Sequence, residues 1–266
     1  MGFRNSSMID AFATVEDNID PTTGQYKNRQ VDIDQFNSFT SELRLSHHYH
    51  IGSSSSVLVG GVQLMNNDLN RKQLGKGTTG SDYDLTLVVP NDWGRDMHFK
   101  TQNIAVFIEN LLYITPKLSV SPGFRVESGQ TDFSGFIRYL NPAITPNTIL
   151  HRFPLFGIST QYSIDKHNRV YGGFSQAYRP VILKDIVPAS VLERTDKNLK
   201  DAHGYNAEIG LSGRRGKIHY DITAFIVQYN NRLGNLILND SDGTPYIFRT
   251  TIGDSRTNET RSLYRI

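Results

Sequence analysis

The stretch Leu118-Ser119-Val120-Ser121-Pro122-Gly123-Phe124-Arg125-Val126-Glu127 has a period of two. Leu118, Val120, Pro122, Phe124 and Val126 alternate with Ser119, Ser121, Gly123, Arg125 and Glu127. Successive side chains of an extended strand point to opposite faces, so this segment carries one apolar face and one wet, charged face. The same alternation returns in Leu43, Leu45, His47, Tyr49, Ile51 against Glu42, Arg44, Ser46, His48, His50. It returns again in Phe156, Ile158, Thr160, Tyr162, Ile164, and in Tyr205, Ala207, Ile209, Leu211 against Asn206, Glu208, Gly210, Ser212. Ile218, Tyr220, Ile222, Ala224 and Ile226 oppose His219, Asp221, Thr223, Phe225 and Val227. A helical period is almost absent.

The pattern predicts nine strands, at 36–51, 56–68, 98–114, 118–128, 152–164, 169–180, 204–213, 217–231 and 246–256. Short connections at 52–55, 115–117, 165–168 and 214–216 alternate with long ones at 69–97, 129–151, 181–203 and 232–245, and 1–35 would be another long one. Compact domains usually connect elements with about 4–6 residues. Outer-membrane barrels alternate tight turns with long loops, because one end of each hairpin faces the periplasm and the other the outside. A tilted strand crosses the hydrocarbon in about 9–11 residues, whereas soluble strands cluster near about 5–6. The expected fold is therefore all-β: an antiparallel up-and-down transmembrane β-barrel, here a partial, open wall of about nine strands. Residues 1–35 are expected as an extracellular loop region, 36–256 as the wall and 257–266 as an irregular tail. With nine strands, 36–51 and 246–256 would run parallel, and antiparallel closure would be unavailable. Tyr49, Tyr113, Tyr162, Tyr171 and Tyr205 sit near strand ends, as interfacial girdles require.

Composition narrows the function. The 266 residues include 28 Lys+Arg against 26 Asp+Glu, a net charge of +2, which excludes a polybasic nucleic-acid stripe. A hydrophobic share of 38% excludes a disordered chain. Without cysteine there is no disulfide, thiol chemistry or cysteine-ligated zinc. No apolar run reaches the length of about 18 residues that a spanning helix needs. Met1-Gly2-Phe3-Arg4-Asn5 opens no apolar signal-peptide region. Strands that alternate remain compatible with a membrane, because alternation keeps mean hydropathy low.

Three stretches resemble the TonB-dependent outer-membrane receptors. Tyr171-Gly172-Gly173-Phe174-Ser175-Gln176-Ala177-Tyr178-Arg179-Pro180 is similar to that family's strand ending in aromatic-Arg-Pro before an extracellular loop. Asn198-Leu199-Lys200 followed by Tyr205-Asn206-Ala207-Glu208-Ile209-Gly210-Leu211 resembles its Asn-Leu-Lys-Pro-Glu and Tyr-x-x-Glu-x-Gly-aliphatic elements, with Asp201-Ala202 in place of Pro-Glu. Tyr229-Asn230-Asn231-Arg232 and Ile252-Gly253-Asp254-Ser255-Arg256 match a third strand pair. Gln102–Asn110 and Pro122-Gly123-Phe124-Arg125 resemble an earlier one. The ferric-citrate-type siderophore receptors are the subgroup it most resembles. The resemblance implies import of a ferric chelate across the outer membrane of a Gram-negative cell, energised through a TonB complex, with membrane lipid and no nucleic acid as partners. It implies no enzyme activity and no bound cofactor. The family's N-terminal plug, its TonB-contacting part and a barrel of about 22 strands have no counterpart here, and the Gly-x-Glu that follows the third strand pair is absent after Arg256. The chain therefore reads as an internal barrel fragment.

The mid-strand charges Glu42, Arg44, Glu109, Arg125, Glu127, Glu208 and Asp221 mark the lumen wall, since Arg or Lys facing lipid costs about 2–4 kcal/mol. Arg152, Tyr178 and Arg179 lie at strand–loop junctions and are the candidate substrate-binding residues: Arg forks suit carboxylate-rich chelates, and Tyr offers a ring face and a hydroxyl. Arg138 lies farther out in a loop. His48 and His50 share a face but have no third ligand nearby, so no metal site is expected. A soluble β-rich carbohydrate-binding module is the alternative. A barrel lipase would need a Ser/His pair that this spacing does not suggest.

Overall fold

A computed structural model describes residues 2–14 (backbone only), 19, 21–26, 28–52, 54–78, 84–140 and 147–265. In chain order the elements are β1 Gly2–Thr14, β2 Gln30–Ile51, β3 Ser54–Lys76, β4 Arg95–Tyr113, β5 Leu118–Ile137, β6 Thr148–Ser163 and β7 Arg169–Arg179. They continue with a single helical turn, α1 Leu183–Ile186, then β8 Glu193–Thr195, β9 Ala202–Arg215, β10 Ile218–Asn239 and β11 Pro245–Arg265. All pair antiparallel with their sheet neighbours in the order β1-β2-β3-β4-β5-β6-β7-β9-β10-β11, except the three-residue β8, which lies parallel on the outer part of β11. The sheet is open: no ladder joins β1 to β11 among the described residues.

Register fixes which residues share a face. One cross-strand row runs Glu42, Gln63, Ala105, Glu127, Phe153; the next runs Leu43, Val62, Val106, Val126, Pro154. The first row faces the inside of the curl and the second the outside. The sheet must curl round its polar face, because Phe36 of β2, Phe153 of β6 and Tyr229 of β10 line one cavity. Leu43, Leu45, Leu64, Val106, Ile108, Phe124 and Ile209 remain exposed on the convex side. Such a continuous apolar band has no place in water and fits the hydrocarbon of a bilayer. Tyr113, opposite Ser119, and Tyr171 stand on the concave face instead and take no part in an outer girdle.

The strands are longer than the alternation suggests. β2, β3 and β10 have 22, 23 and 22 residues, about twice what a bilayer needs. Residues 69–76, 95–97, 129–137, 148–151 and 232–239 belong to strands rather than to loops. Their polar residues face water on both sides, so the period fades while the backbone ladder continues. The connection 232–245 shrinks to 240–244, a tight turn in which Asp240 N donates to Thr244 O at 2.9 Å.

The termini correct the domain reading. The described part of 1–35 is strand at Gly2–Thr14 and again from Gln30, not a loop region. Residues 257–265 continue β11 opposite Val227–His219 instead of forming an irregular tail. In Gly2–Thr14 the apolar Met8, Ile9, Ala11, Phe12 and Ala13 fall on both parities, and in 257–265 polar residues do, so no period betrays either stretch. They become strands because the neighbouring strand's outer N–H and C=O groups need partners. With β1 added there are ten long strands, which makes β1 and β11 antiparallel to each other, so strand parity does not explain the open edge. Met1 and Ile266 lie outside the described residues.

Because successive strands reverse direction, the strand ends at Ile51 and Ser54, Tyr113 and Leu118, Ser163 and Arg169, and Arg215 and Ile218 lie at one end, opposite those at Lys76 and Arg95, Ile137 and Thr148, Arg179 and Ala202, and Asn239 and Pro245. Asp165 closes its turn by accepting the N–H groups of His167 and Asn168 at 2.7 and 2.9 Å. The Asn168 amide and the His167 N–H hold this carboxyl below its usual range. One irregularity crosses β10 and β11 near the rim. Tyr229 pairs with Ser255 and Leu233 with Thr251, but between them Asn231 and Gly253 take φ of 55° and 115°. Asn231 N donates to Asp254 Oδ1 at 2.9 Å and its amide to Asp201 O at 3.1 Å.

At Gly204 the β9 and β10 backbones approach so closely that a methyl group would run into the Gln228 carbonyl. Gly204→Ala is expected to lose about 1–3 kcal/mol by overpacking. Gly157→Ala, whose methyl meets only ordinary contacts, is expected to stay within about 0.5 kcal/mol. Urea unfolding in detergent micelles, followed by β-sheet circular dichroism, checks the difference.

Candidate ligand-binding site

The alternation of β2, β3, β4 and β5 brings a charged network together on the concave face. Arg44 Nη2 donates to Glu42 Oε1 at 2.7 Å, and Gln63 Nε2 to Glu42 Oε2 at 3.1 Å. Arg125 Nη2 donates to Gln63 Oε1 at 3.0 Å and its Nε to Glu127 Oε1 at 2.5 Å. Asn103 Nδ2 completes Glu127 at 3.1 Å. The Arg44 and Arg125 guanidinium groups both lie over the Phe107 ring, at 5.4 and 5.8 Å, where the π face attracts them. Further round the wall Ser121 Oγ donates to Glu109 Oε1 at 2.8 Å, and Tyr171 OH to Asp221 Oδ1 at 2.9 Å. Glu208 lines one cleft with Tyr171 and Asp221. All seven charges read from the sequence thus share the concave face.

Toward the long-loop end the concave face deepens into a cavity of about 1110 Å³. Its floor and walls are apolar and aromatic: Phe36, Met65, Met97, Phe99 and Phe153 project from neighbouring strands. Five cations reach it, Arg71, Arg95, Arg179, Lys184 and Arg249, against two carboxylates, Glu127 and Asp185. Arg179 Nη2 pairs with Asp185 at 2.8 Å, and Arg71 with Asp34 at 2.6 Å. Arg249 Nη1 donates to the Lys184 carbonyl at 2.9 Å, and its Nη2 lies 3.6 Å from Glu193. Arg95 donates to the Ala189 carbonyl. These bonds bind α1 and the 187–189 segment over the mouth of the cavity. Apolar walls with more cations than carboxylates in the lining are chemically able to take an anion that carries apolar bulk.

Two of the three candidates read from the sequence reach this cavity. Tyr178 stacks on Phe153 with ring centroids 3.9 Å apart and donates its hydroxyl to Asp201, and Arg179 stands beside it. Arg152 does not belong. It faces Ser128 on the row of even-numbered β6 residues, shared with Pro154, Phe156 and Ile158, and points out of the convex side. Junction position suggested it; the strand's own parity excludes it. Arg138 pairs with Asp92 in the loops, at 2.5 Å. His48 and His50 are exposed, and no cluster of three metal-binding side chains occurs among the described residues. Arg71, Arg95 and Arg249 escaped the sequence reading, the first two because 69–97 read as loop. Their signal was present in Met97 and Phe99, which continue the inward parity of Ala105 and Phe107.

Beside the cavity a latch fastens two rim segments. The buried Arg29 donates through Nη2 to Thr78 Oγ1 at 2.6 Å and to Asp84 Oδ2 at 2.8 Å. Thr86 N donates to Asp84 Oδ1 at 2.9 Å. Thr86 first, then Arg29 and Thr78, hold the Asp84 carboxyl far below the usual range.

A family model described as TonB dependent receptor-like, beta-barrel, matches residues 3–258. No curated protein matches the sequence. Among solved structures, the chain is similar to the ferric citrate transporter FecA in its unliganded form, at a TM-score of 0.68 and 16% identity, covering 98% of this chain and 36% of that one. The copper transporter OprC aligns at 0.71 and 13%, over 98% and 40%. The ferripyoverdine receptor of the outer membrane of Pseudomonas aeruginosa, bound to ferripyoverdine, aligns at 0.65 and 16%, over 98% and 35%. The chain thus spans well under half the length of these relatives, and at such identities the likeness shows the fold.

Two outcomes follow from the faces. Arg125→Ala, which strips Glu127 and Gln63 of a charged donor, is expected to cost about 1.5–3 kcal/mol, and Val126→Arg, one residue on, about 2–4 kcal/mol in lipid; unfolding in lipid bilayers measures both. The latch gives a pH effect. A depressed carboxyl pKa contributes stability above the unfolded value near about 4 and loses it as pH falls through the folded value. Asp84→Asn is therefore expected to lower the melting temperature at pH 6 and to flatten its fall on acidification, as thermal scans between pH 6 and 2 would show.

Proposed function

Because the chain belongs to the TonB-dependent receptor family, as a stretch of its outer-membrane β-barrel, we propose that it forms part of a receptor importing a ferric chelate, a siderophore or ferric citrate, with energy delivered through TonB. The single observation that carries this reading is the cavity at the long-loop end, with apolar walls and five cations against two carboxylates. Ferric chelates of the hydroxycarboxylate and catecholate kinds combine net negative charge with a compact, partly apolar surface. Tyr178 and Arg179 would meet the ligand, together with Lys184 and Arg249 on the segment that covers the mouth. This is binding and translocation, and no enzymatic step is part of it. A soluble carbohydrate-binding module would not leave Leu45 and Ile209 exposed by 68% and 62% within a continuous apolar face.

Isothermal titration of the detergent-solubilised chain with ferric citrate, a ferric catecholate and a ferric hydroxamate tests the proposal, with iron-free citrate as control. One ferric chelate is expected to bind, and Arg249→Ala to weaken it by about tenfold or more, the scale of one lost charged hydrogen bond. Absence of binding by every chelate, or equal binding of iron-free citrate, would overturn it.

A further inference from the structure

Toward the short turns the convex apolar band ends at Ile114, Tyr162, Ile164, Ile218 and Tyr264, all exposed. Register puts them there. Tyr162 stands opposite Leu118, and Ile114 lies two residues beyond Leu112, which faces Val120. Ile218 stands opposite Arg215, which keeps the parity of Ile209 and Leu211, and Tyr264 stands opposite Tyr220, two residues from Ile222. Directly opposed residues share a face, and so do residues two apart. Just past this border come three hairpin turns that follow one another along the sheet, β4 to β5, β6 to β7 and β9 to β10. They carry Lys117, Lys166 and Lys217, and Arg215 ends β9 on the convex parity.

Residues 114–117, 164–168 and 215–217 thus hold four Lys or Arg side chains against one carboxylate, Asp165. Asp165 is engaged by neutral donors of its own turn, the His167 and Asn168 N–H groups and the Asn168 amide. All four cations are exposed, and none makes an ion pair with a carboxylate among the described residues. The first two turns are tied together: Ser163 N donates to Lys117 O at 2.7 Å, and Lys117 Nζ to Ile164 O at 3.1 Å. Two strand spacings separate successive turns, so the cations recur about every 10 Å along the rim. The opposite border of the band is built differently. There the facing residues Asp68, Lys100 and Asp132 alternate in sign, and His98 Nε2 lies 2.9 Å from Asp68 Oδ1.

We propose that the crescent of Lys117, Lys166, Arg215 and Lys217 is a binding site for anionic glycerophospholipids. Such a lipid offers two groups in the order this rim presents them: acyl chains beside the Ile and Tyr side chains, then a phosphate level with the turns. Lys and Arg stems lie along the apolar border while their charged heads reach the phosphate. An anionic headgroup meets the surplus of positive charge, whereas a zwitterionic one brings its own cation to the phosphate. Soluble phosphate has no chains to set against the band. Continuity of the crescent with the lipid-facing surface therefore favours the lipid over a free anion.

Native mass spectrometry of the full chain in neutral detergent, given equal amounts of dioleoyl phosphatidylglycerol and dioleoyl phosphatidylcholine, reads which lipid is retained. Phosphatidylglycerol is expected to be preferred at low salt, and the preference to shrink at about 0.3 M salt, where exposed charges are screened. Lys166→Gln, Arg215→Gln and Lys217→Gln are each expected to lower phosphatidylglycerol binding about fivefold and to leave phosphatidylcholine binding as it was, which reports that the wall is intact. Arg215→Lys, which keeps the charge, is expected to keep the preference. Lys197→Gln in the long-loop region and Arg265→Gln on the concave side are expected to change neither lipid. Equal retention of the two lipids, or unchanged binding by the three turn variants, would overturn the proposal. So would an equal loss in Arg265→Gln, which moves the lipid into the lumen, or displacement by inorganic phosphate at equal concentration, which marks a small-anion site.

Discussion

Within hydrocarbon no water is present to satisfy a backbone N–H or C=O, so each must find its partner on the next strand. Everything else in this protein depends on that demand. The ladder is continuous from β1 to β11, and continuity forces every strand to present its residues alternately to two different solvents. Leu43, Val62, Val106 and Val126 fall in one row and Glu42, Gln63 and Glu127 in the next because a single register serves them all. The charges inside the curl are an outcome of the same rule. Arg44, Arg125, Glu42 and Glu127 can stand there because the face they occupy is wet, and they satisfy one another across Phe107.

Where one face met lipid, the sequence could be read. The segments around Leu43–Ile51, Leu118–Glu127 and Tyr205–Ser212 announced their strands, and the luminal side of all seven wall charges followed from parity alone. Legibility failed where both faces are wet. Lys72 and Asn235 lie in strands that run past the membrane, and nothing in a polar neighbourhood records a period. The same blindness hid Thr257–Arg265, and in Gly2–Thr14 apolar residues on both parities hid the period; both are strands because a neighbour's backbone recruits them. For the candidate site, adjacency to a strand end picked out Tyr178 and Arg179, which line the cavity, and Arg152, which counting from Pro154 turns outward. Arg249 could not be found from the sequence, since its approach to the cavity depends on α1 folding back over β11.

The two ends of the lumen differ in construction. At the long-loop end the cations are embedded in carbonyls and carboxylates, as Arg179 is in Asp185 and Arg249 in the Lys184 and Asp185 carbonyls. That packing fixes the charge in place, so a ligand bound there, as proposed, would cost little reorganisation. At the turn end Arg169 and Arg214 are oriented through Nε, on Ser212 and on the Gly216 carbonyl. Cations fixed by carbonyls and carboxylates at one end and cations left exposed at the other thus share one wall.

The kink shared by β10 and β11 has a consequence for how such a wall can change length. Register is the same above it, at Leu233 opposite Thr251, as below it, at Tyr229 opposite Ser255. It is kept because Asn231 and Gly253 both leave the extended conformation at the same height. An amino acid inserted into one strand alone would exchange lumen for lipid along the rest of that strand. A matching insertion in the facing strand restores the pairing but leaves both strands turned over, so only two residues gained in each keep pairing and faces together. Gain and loss of residues in this wall should therefore come two at a time in facing strands, confined to the outer rim, with the hydrocarbon-spanning half fixed in length.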